Sequence, residues 1–353
     1  MSGPAAVIGR QIQTSGAEIV GVVSCLPSRE ILNSEFFSQF GDSAVHDVVK
    51  MIGVEKRHWV DEKTTTLDLC AAAGKQLLSE LKWEPETIDA ILFVSQTPDF
   101  RLPASACCLQ AKLQLSKATI AFDVNLGCSG YPYALWLGMT MVQTGAARRV
   151  LLAVGDTISK IVDPSDRSTA LLFGDAGTMT AIQKSDDGSA FFVLGTDGSG
   201  ASHLNVPSGA FRTGVEESDS RLKDKNSSCL FMDGGEIFNF TLKSVPKLVE
   251  ETLRFSDSSI EDYGYFLFHQ ANMFMVKHLV KKSKIPQEKA PINIDKFGNT
   301  SCASIPLLMT SELAEVLKSK KLKIGMFGFG VGYSWGGASI DVGPLKCIRT
   351  INI

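Results

Sequence analysis

Of the eight cysteines in this chain, one stands where it could act as a nucleophile. Cys128 lies in DVNLGCSGYPYALWLG, at the junction of an apolar strand-like run and a helical stretch. Gly127 and Gly130 permit a tight, strained turn there. The start of a helix presents unpaired N–H groups and partial positive charge. Both favour a thiolate. An ordinary cysteine has a pKa of about 8.5 and is only a few per cent thiolate at neutral pH. A helix terminus offsets part of that deficit, by about 0.3–2 kcal/mol, and the same N–H groups can hold a developing oxyanion. Cys25, Cys70, Cys107, Cys108, Cys229, Cys302 and Cys347 are expected to be small core hydrophobes. No CxxC spacing occurs, so no metal site is expected.

Two further places carry usable chemistry. LFHQAN sets His269 at the end of a predicted strand, and DKFGNTSCASIP sets Asn299 in a loop before a helix, directly after Gly298. Alone, a histidine is more often a structural hydrogen-bonder, and an asparagine after glycine is most often a turn residue. His46, His58, His203 and His278 keep that structural reading. The glycine-rich FGFGVGYSWGG is not a dinucleotide fingerprint, because strands are predicted on both sides of it. It also lacks the Gly-Lys-Ser/Thr of a phosphate loop.

These residues need elements to hold them. Apolar runs that end at turn signals alternate with helical patterns through most of the chain, which predicts an α/β fold. IDAILFVSQTPD and EDYGYFLFHQAN share an acidic start, an apolar strand and a polar pair at the strand's end. This fits two pseudo-equivalent halves, residues 1–184 with the cysteine and 185–353 with the histidine and asparagine. A site then falls where the strands end. The polar stretch 202–233 has no clear period and reads as a lid, a binding loop or a solvated insertion. Across 353 residues the net charge is −3, which excludes a bulk pull toward nucleic acid. No stretch approaches the roughly 20 apolar residues of a membrane span. The N-terminal residues lack a basic-then-apolar signal pattern, so a cytoplasmic location is expected.

Taken in order, TPDFRLPASACCLQ, DVNLGCSGYPYALWLG, DPSDRSTALLFGDAGT, MDGGEIFNF, FHQAN, FGNTSCASIP and FGFGVGYSWGGASI resemble the β-ketoacyl-ACP synthase III family over nearly the whole chain. The resemblance implies a thiolase-like, five-layered αβαβα fold, a homodimer, and Cys128, His269 and Asn299 as a catalytic triad. It implies that the backbone N–H groups of Cys128 and Val331 form an oxyanion hole. The implied reaction loads an acyl group from a thioester onto Cys128 and condenses it with a decarboxylating malonyl-type thioester. His269 and Asn299 would donate hydrogen bonds to the enolate. No metal or redox cofactor is implied; acyl-CoA or acyl-carrier thioesters are the substrates.

The chain departs from the family pattern at its entrance. Asp47 and Met51 stand where a Trp and an Arg are common, Arg167 matches a residue flanking the CoA adenine, and Phe274 replaces a tunnel-mouth Arg. Weak or altered CoA binding is therefore expected, with the acyl donor carried on a protein. Lys277, Lys281 and Lys282 match basic residues that dock the acidic acyl carrier protein, and Leu102 matches the side chain that enters a partner's acyl pocket. Two alternatives remain: acyl transfer from Cys128 to a hydroxyl, amine or other small acceptor in secondary metabolism, and a non-catalytic partner subunit. Such partner subunits typically lose the cysteine. A hydroxymethylglutaryl-type synthase would need a catalytic Glu that has no clear match here.

Overall fold

The computed structural model describes residues 8–211, 220–222 and 225–353. Nine strands form one continuous mixed sheet: β1 (Arg10–Leu26), β2 (Ala90–Val94), β3 (Ile120–Val124), β4 (Arg149–Asp156), β5 (Ala176–Thr196), β6 (Tyr265–Phe268), β7 (Leu322–Gly330), β8 (Ser334–Val342) and β9 (Cys347–Asn352). The order runs β6-β7-β8-β5-β4-β2-β3, and β1 pairs with both β5 and β9. β2 runs parallel to β3 and β4, and β6 runs parallel to β7. β5 lies antiparallel to β4 over 176–183 and to β8 over 190–196. Position 184/185 falls between those two pairings, beside an irregularity in the β1–β5 register.

Alternation along the strands sorts side chains into layers, because successive residues point to opposite faces. Ala90, Leu92 and Val94 of β2 join Ile324 and Met326 of β7 in a central core. That core is filled by Tyr131, Leu135 and Met139 of α4 (Gly130–Gln143) and by Ile305, Leu308 and Met309 of α7 (Ser304–Glu312). The intervening Ile91 and Phe93 face outward onto Leu69, Ala73 and Leu77 of α2 (Thr66–Leu81). On the far side, Phe266, Phe268, Phe327 and Phe329 pack against α5 (Gly234–Phe255) and α6 (Met273–Lys282). The one continuous sheet thus wraps the inner helices α4 and α7 from two sides, which gives the layers helix, sheet, helix, sheet, helix. α3 (Ser105–Lys112) joins α2 in that outer layer through buried Ala106 and Leu109, whereas α1 (Asp42–Ile52) packs on a separate cluster through Val45 and Ile52.

The sequence pattern predicts a helix over PASACCLQAKLQL with proline in its first turn, one helix over SIPLLMTSELAEVLKSKKL, a chain that ends as two strands around FGFGVGYSWGG, and a long helix bent near Pro246; the structure revises these. Pro103 lies before α3 rather than in its first turn, since Ala104 is the N-cap. The stretch SIPLLMTSELAEVLKSKKL breaks at Leu313 into α7 and a short helix, Ala314–Ser319. The chain does not end with the hairpin of β7 and β8. β9 follows and lies parallel to β1. Pro246 sits inside α5 without ending it. Of the 202–233 segment, Leu204–Asn205 pairs with Phe231–Met232, while residues 212–219 and 223–224 lie outside the described residues. No helix among the described residues is long and apolar enough to cross a membrane.

Candidate active site

The sheet's parallel strands end together on one side, and the candidate residues gather there. Gln96 follows β2, His269 follows β6, and Cys128 lies between β3 and the start of α4. All three line one cavity of about 110 Å³, with Asn299, Ser301, Gly330 and Val331 beside them. Its remaining wall is largely apolar, including Ile158, Leu172, Phe173, Ile237, Met275 and Phe329.

Close approach explains the glycines at the cysteine. A Cβ on Gly330, whose φ is +156°, would lie 2.9 Å from the Cys128 Cβ and 3.1 Å from its Sγ. A Cβ on Gly127 would lie 2.3 Å from Gln96 Oε1 and 2.7 Å from Val331 Cγ1. The turn after β7 thus sits directly on the nucleophile's turn. Ser129 and Ser334 hydroxyls meet at 2.6 Å, and the Ser334 hydroxyl donates to the Val331 carbonyl at 2.8 Å. These bonds hold the two turns in register.

Cys128 itself is buried, and burial pushes its thiol up to about 12. The buried Asp156 charge acts in the same direction. The Ser301 hydroxyl, 4.0 Å from Sγ, and the main-chain N–H groups of Cys128 and Val331 act in the opposite direction. The resting form is therefore the thiol. Desolvation of a charge inside the protein outweighs the helix-terminal N–H groups. Asp156 is wholly buried, and its Oδ1 accepts from the Ser95 hydroxyl, the Gln96 N–H and the Thr97 hydroxyl at 2.9, 2.7 and 3.0 Å. Its Oδ2 accepts from the Cys302 thiol at 3.3 Å.

His269 is also buried, and desolvation lowers its pKa to about 3, leaving a neutral imidazole. Its Nδ1 lies 2.8 Å from the Ser304 hydroxyl at the start of α7, and Phe329 packs edge-on against its ring. Asn299 is locked by its main chain: its N–H donates to Leu172 and its carbonyl accepts from Gly174, at 2.9 and 3.1 Å. Its side-chain oxygen accepts from the Ser301 N–H at 2.9 Å, and Nδ2 donates to the Ala271 carbonyl at 3.3 Å. An amide NH₂ has two donors, so one is left for the cavity.

The outer candidates are not brought into this cavity. Arg167 is exposed at the head of the four-residue helix Arg167–Ala170. Phe274 is 54 % exposed and stacks on Phe238, while its neighbours Asn272 and Met275 line the cavity. Lys277, Lys281 and Lys282 lie exposed on α6, and Lys282 Nζ donates to the Leu242 carbonyl at 2.8 Å. Leu102 is 79 % exposed and does not line this chain's own cavity. Asp47 and Met51 lie on α1, where Asp47 pairs with Lys50 at 3.7 Å. Sequence reasoning missed Ser301, Ser304, Gln96 and Asp156. The first three stand inside the motifs FGNTSCASIP and SQTPD, but hydroxyl and amide residues in a loop carry no pattern that marks them.

A buried cysteine at the start of an inner helix, in a five-layer α/β frame, is the thiolase-like arrangement of a condensing enzyme. Residues 122–198 match the family profile "3-Oxoacyl-[acyl-carrier-protein (ACP)] synthase III", and residues 253–342 match its C-terminal counterpart. A β-ketoacyl-[acyl-carrier-protein] synthase III of Syntrophomonas wolfei is 36% identical over 325 residues, 91% of this chain and 96% of that protein. The crystal structure of a 3-oxoacyl-(acyl-carrier protein) synthase from Burkholderia xenovorans LB400 is 58% identical, with a TM-score of 0.97 over 98% of this chain and 99% of that one. A priming β-ketosynthase of the R1128 polyketide pathway is 25% identical with a TM-score of 0.81, covering 97% of this chain and 99% of that one. The chain belongs to the 3-oxoacyl-[acyl-carrier-protein] synthase III family. It is an acyltransferase that couples acyl transfer from a thioester to a Claisen condensation.

Proposed function

We propose that Cys128 carries the acyl group and that His269 and Asn299 serve the condensation. The carrying observation is that these three side chains line one cavity in a member of this family. In the first step Cys128 sulfur bonds to the acyl carbonyl carbon as the bond to the donor's sulfur breaks. The proton lost by Cys128 leaves with the donor thiol. One thioester replaces another, so the exchange is nearly balanced. Main-chain N–H groups of Cys128 and Val331 hold the transient oxyanion. In the second step a malonyl-type thioester loses CO₂, and the bonding pair becomes an enolate. Asn299 Nδ2 and the His269 ring nitrogen away from Ser304, carrying the ring proton, donate to its oxygen. The enolate carbon then attacks the acyl-Cys128 carbonyl carbon, its bond to sulfur breaks, and the leaving thiolate takes up one proton from solvent. Residues 1–184 supply the nucleophile in this reading, and 185–353 supply the donors.

For the substrates we favour a protein-bound acyl donor over acyl-CoA, with an acyl carrier protein docking at Lys277, Lys281 and Lys282. Support comes from the exposed Phe274 at the cavity's edge and from α1, where Asp47 and Met51 offer no aromatic and guanidinium pair to hold an adenine. Arg167 is the one adenine-flanking residue retained. The exposed Leu102 and the half-open edge strand β3 fit a homodimer in which Leu102 reaches the partner's acyl pocket. All eight cysteines are free thiols, which suits a reducing cytoplasm. The reaction as proposed uses no metal or redox cofactor.

The test is to offer the protein a panel of acyl-CoA and acyl-carrier thioesters and read acylation of Cys128 by peptide mass spectrometry. Malonyl carrier protein is then added and CO₂ release measured. Equal acylation of Cys128→Ala would overturn the proposal.

A further inference from the structure

The cavity holds one polar group that the reaction above does not use. Thr241, on α5, is fully buried and lines the same cavity as Cys128. Its Oγ1 has no hydrogen-bond partner among the described residues. Threonines inside helices commonly give their hydroxyl to a carbonyl one turn earlier. Thr252, on the same helix, does so, donating to the Leu248 carbonyl at 2.7 Å. Thr241 does not. The cavity wall is largely apolar and includes Ile237, one turn before Thr241, with Leu204, Met232 and Met275. A purely aliphatic ligand would be met equally well by valine, which has the same shape and no hydroxyl to desolvate. A buried hydroxyl without a partner is unfavourable, and this one opens onto substrate space.

We propose that the Thr241 hydroxyl is a substrate subsite: it hydrogen-bonds an amide or hydroxyl group borne along the chain of the incoming acyl thioester. The inference rests on the loading of Cys128 proposed above. An amide in the thioester's carrier arm and a hydroxyl on the acyl chain offer the same chemistry, and the experiment separates them.

Initial rates of Cys128 acylation are measured for wild type, Thr241→Val and Thr241→Ser with three donors: hexanoyl-acyl carrier protein, hexanoyl methyl thioester and 3-hydroxyhexanoyl methyl thioester. One net hydrogen bond corresponds to a change of roughly five- to tenfold. If the arm's amide is bound, Thr241→Val lowers the rate ratio of hexanoyl-acyl carrier protein to hexanoyl methyl thioester by that factor. If the acyl hydroxyl is bound, it lowers the ratio of the hydroxylated to the plain methyl thioester instead. Thr241→Ser restores whichever ratio falls. Both ratios unchanged in Thr241→Val, or a fall that serine does not restore, overturns the subsite. Failure of every donor to acylate wild-type Cys128 overturns the loading reaction itself, and the subsite with it.

Discussion

The floor of the cavity and its rim are built differently. At the floor every candidate group is held by several others. Asn299 is bound through its main chain and through both ends of its amide, and His269 is set by Ser304 and Phe329. Cys128 is wedged beneath Gly330. At the rim, Lys277, Lys281 and Arg167 stand in solvent, and Phe274, though half-exposed, is held among the described residues only by ring contacts with Phe238 and His278. Transition-state charge can be stabilised only by donors that are already aimed, since turning them during the reaction costs what the contact gains. A rim that meets another macromolecule needs charge and shape, and can tolerate side-chain freedom. The floor should therefore respond to single-atom changes, and the rim only to changes of charge.

The largest effect is expected at the floor. Cys128→Ala should abolish covalent loading, and Asn299→Ala should cut CO₂ release about a hundredfold or more while Cys128 still becomes acylated. Comparable loss of both steps in Asn299→Ala would mean that the floor acts as one unit. Next comes the resting thiol. The attacking species in alkylation is the thiolate, and burial holds the Cys128 thiol up to about 12. The groups facing it are Asp156, Cys302 and the neutral His269. Cys128 is thus protonated throughout the neutral range, and its iodoacetamide labelling should climb about tenfold per pH unit from pH 7 to 10. A plateau near pH 9, as for an ordinary thiol of pKa about 8.5, would show instead that the helix start prevails.

A smaller but still large effect is expected for Gly330→Ala. The added methyl meets Cys128 Cβ and Sγ at 2.9 and 3.1 Å, at a φ that side chains seldom adopt. Loading should fall by about tenfold to a hundredfold, with strain of about 1–3 kcal/mol visible as a lower melting temperature. Wild-type loading by this variant would show that the two turns are not in fixed register. The smallest effect belongs to the rim. Reversing charge at Lys277 and Lys281 together should raise KM for a carrier-bound substrate about three- to tenfold and soften its salt dependence. The melting temperature should stay unchanged, since both side chains are exposed. An unchanged KM would remove α6 from the docking surface.

Legibility in the sequence followed the same division, though not perfectly. The strand–turn–helix about Cys128, the strand ending at His269 and the hairpin of β7 and β8 were readable because each is local: apolar alternation, a glycine turn, a helical period. β9 was missed because CIRTIN is short and half-exposed, and its partner β1 lies more than 300 residues away. The break at Leu313 was missed because the apolar and charged residues on either side continue a helical pattern.

By itself, the sequence determined the layered α/β frame and the three residues to be gathered, since both follow from patterns and motifs along the chain. Only the tertiary structure decided the state of those groups. Burial, reinforced by the Asp156 charge, makes Cys128 a thiol, burial makes His269 neutral, and desolvation depends on what the rest of the chain packs around a residue. The same holds for Thr241: its type is plain in the sequence, but its unpartnered hydroxyl facing the cavity exists only once α5 is laid against the sheet.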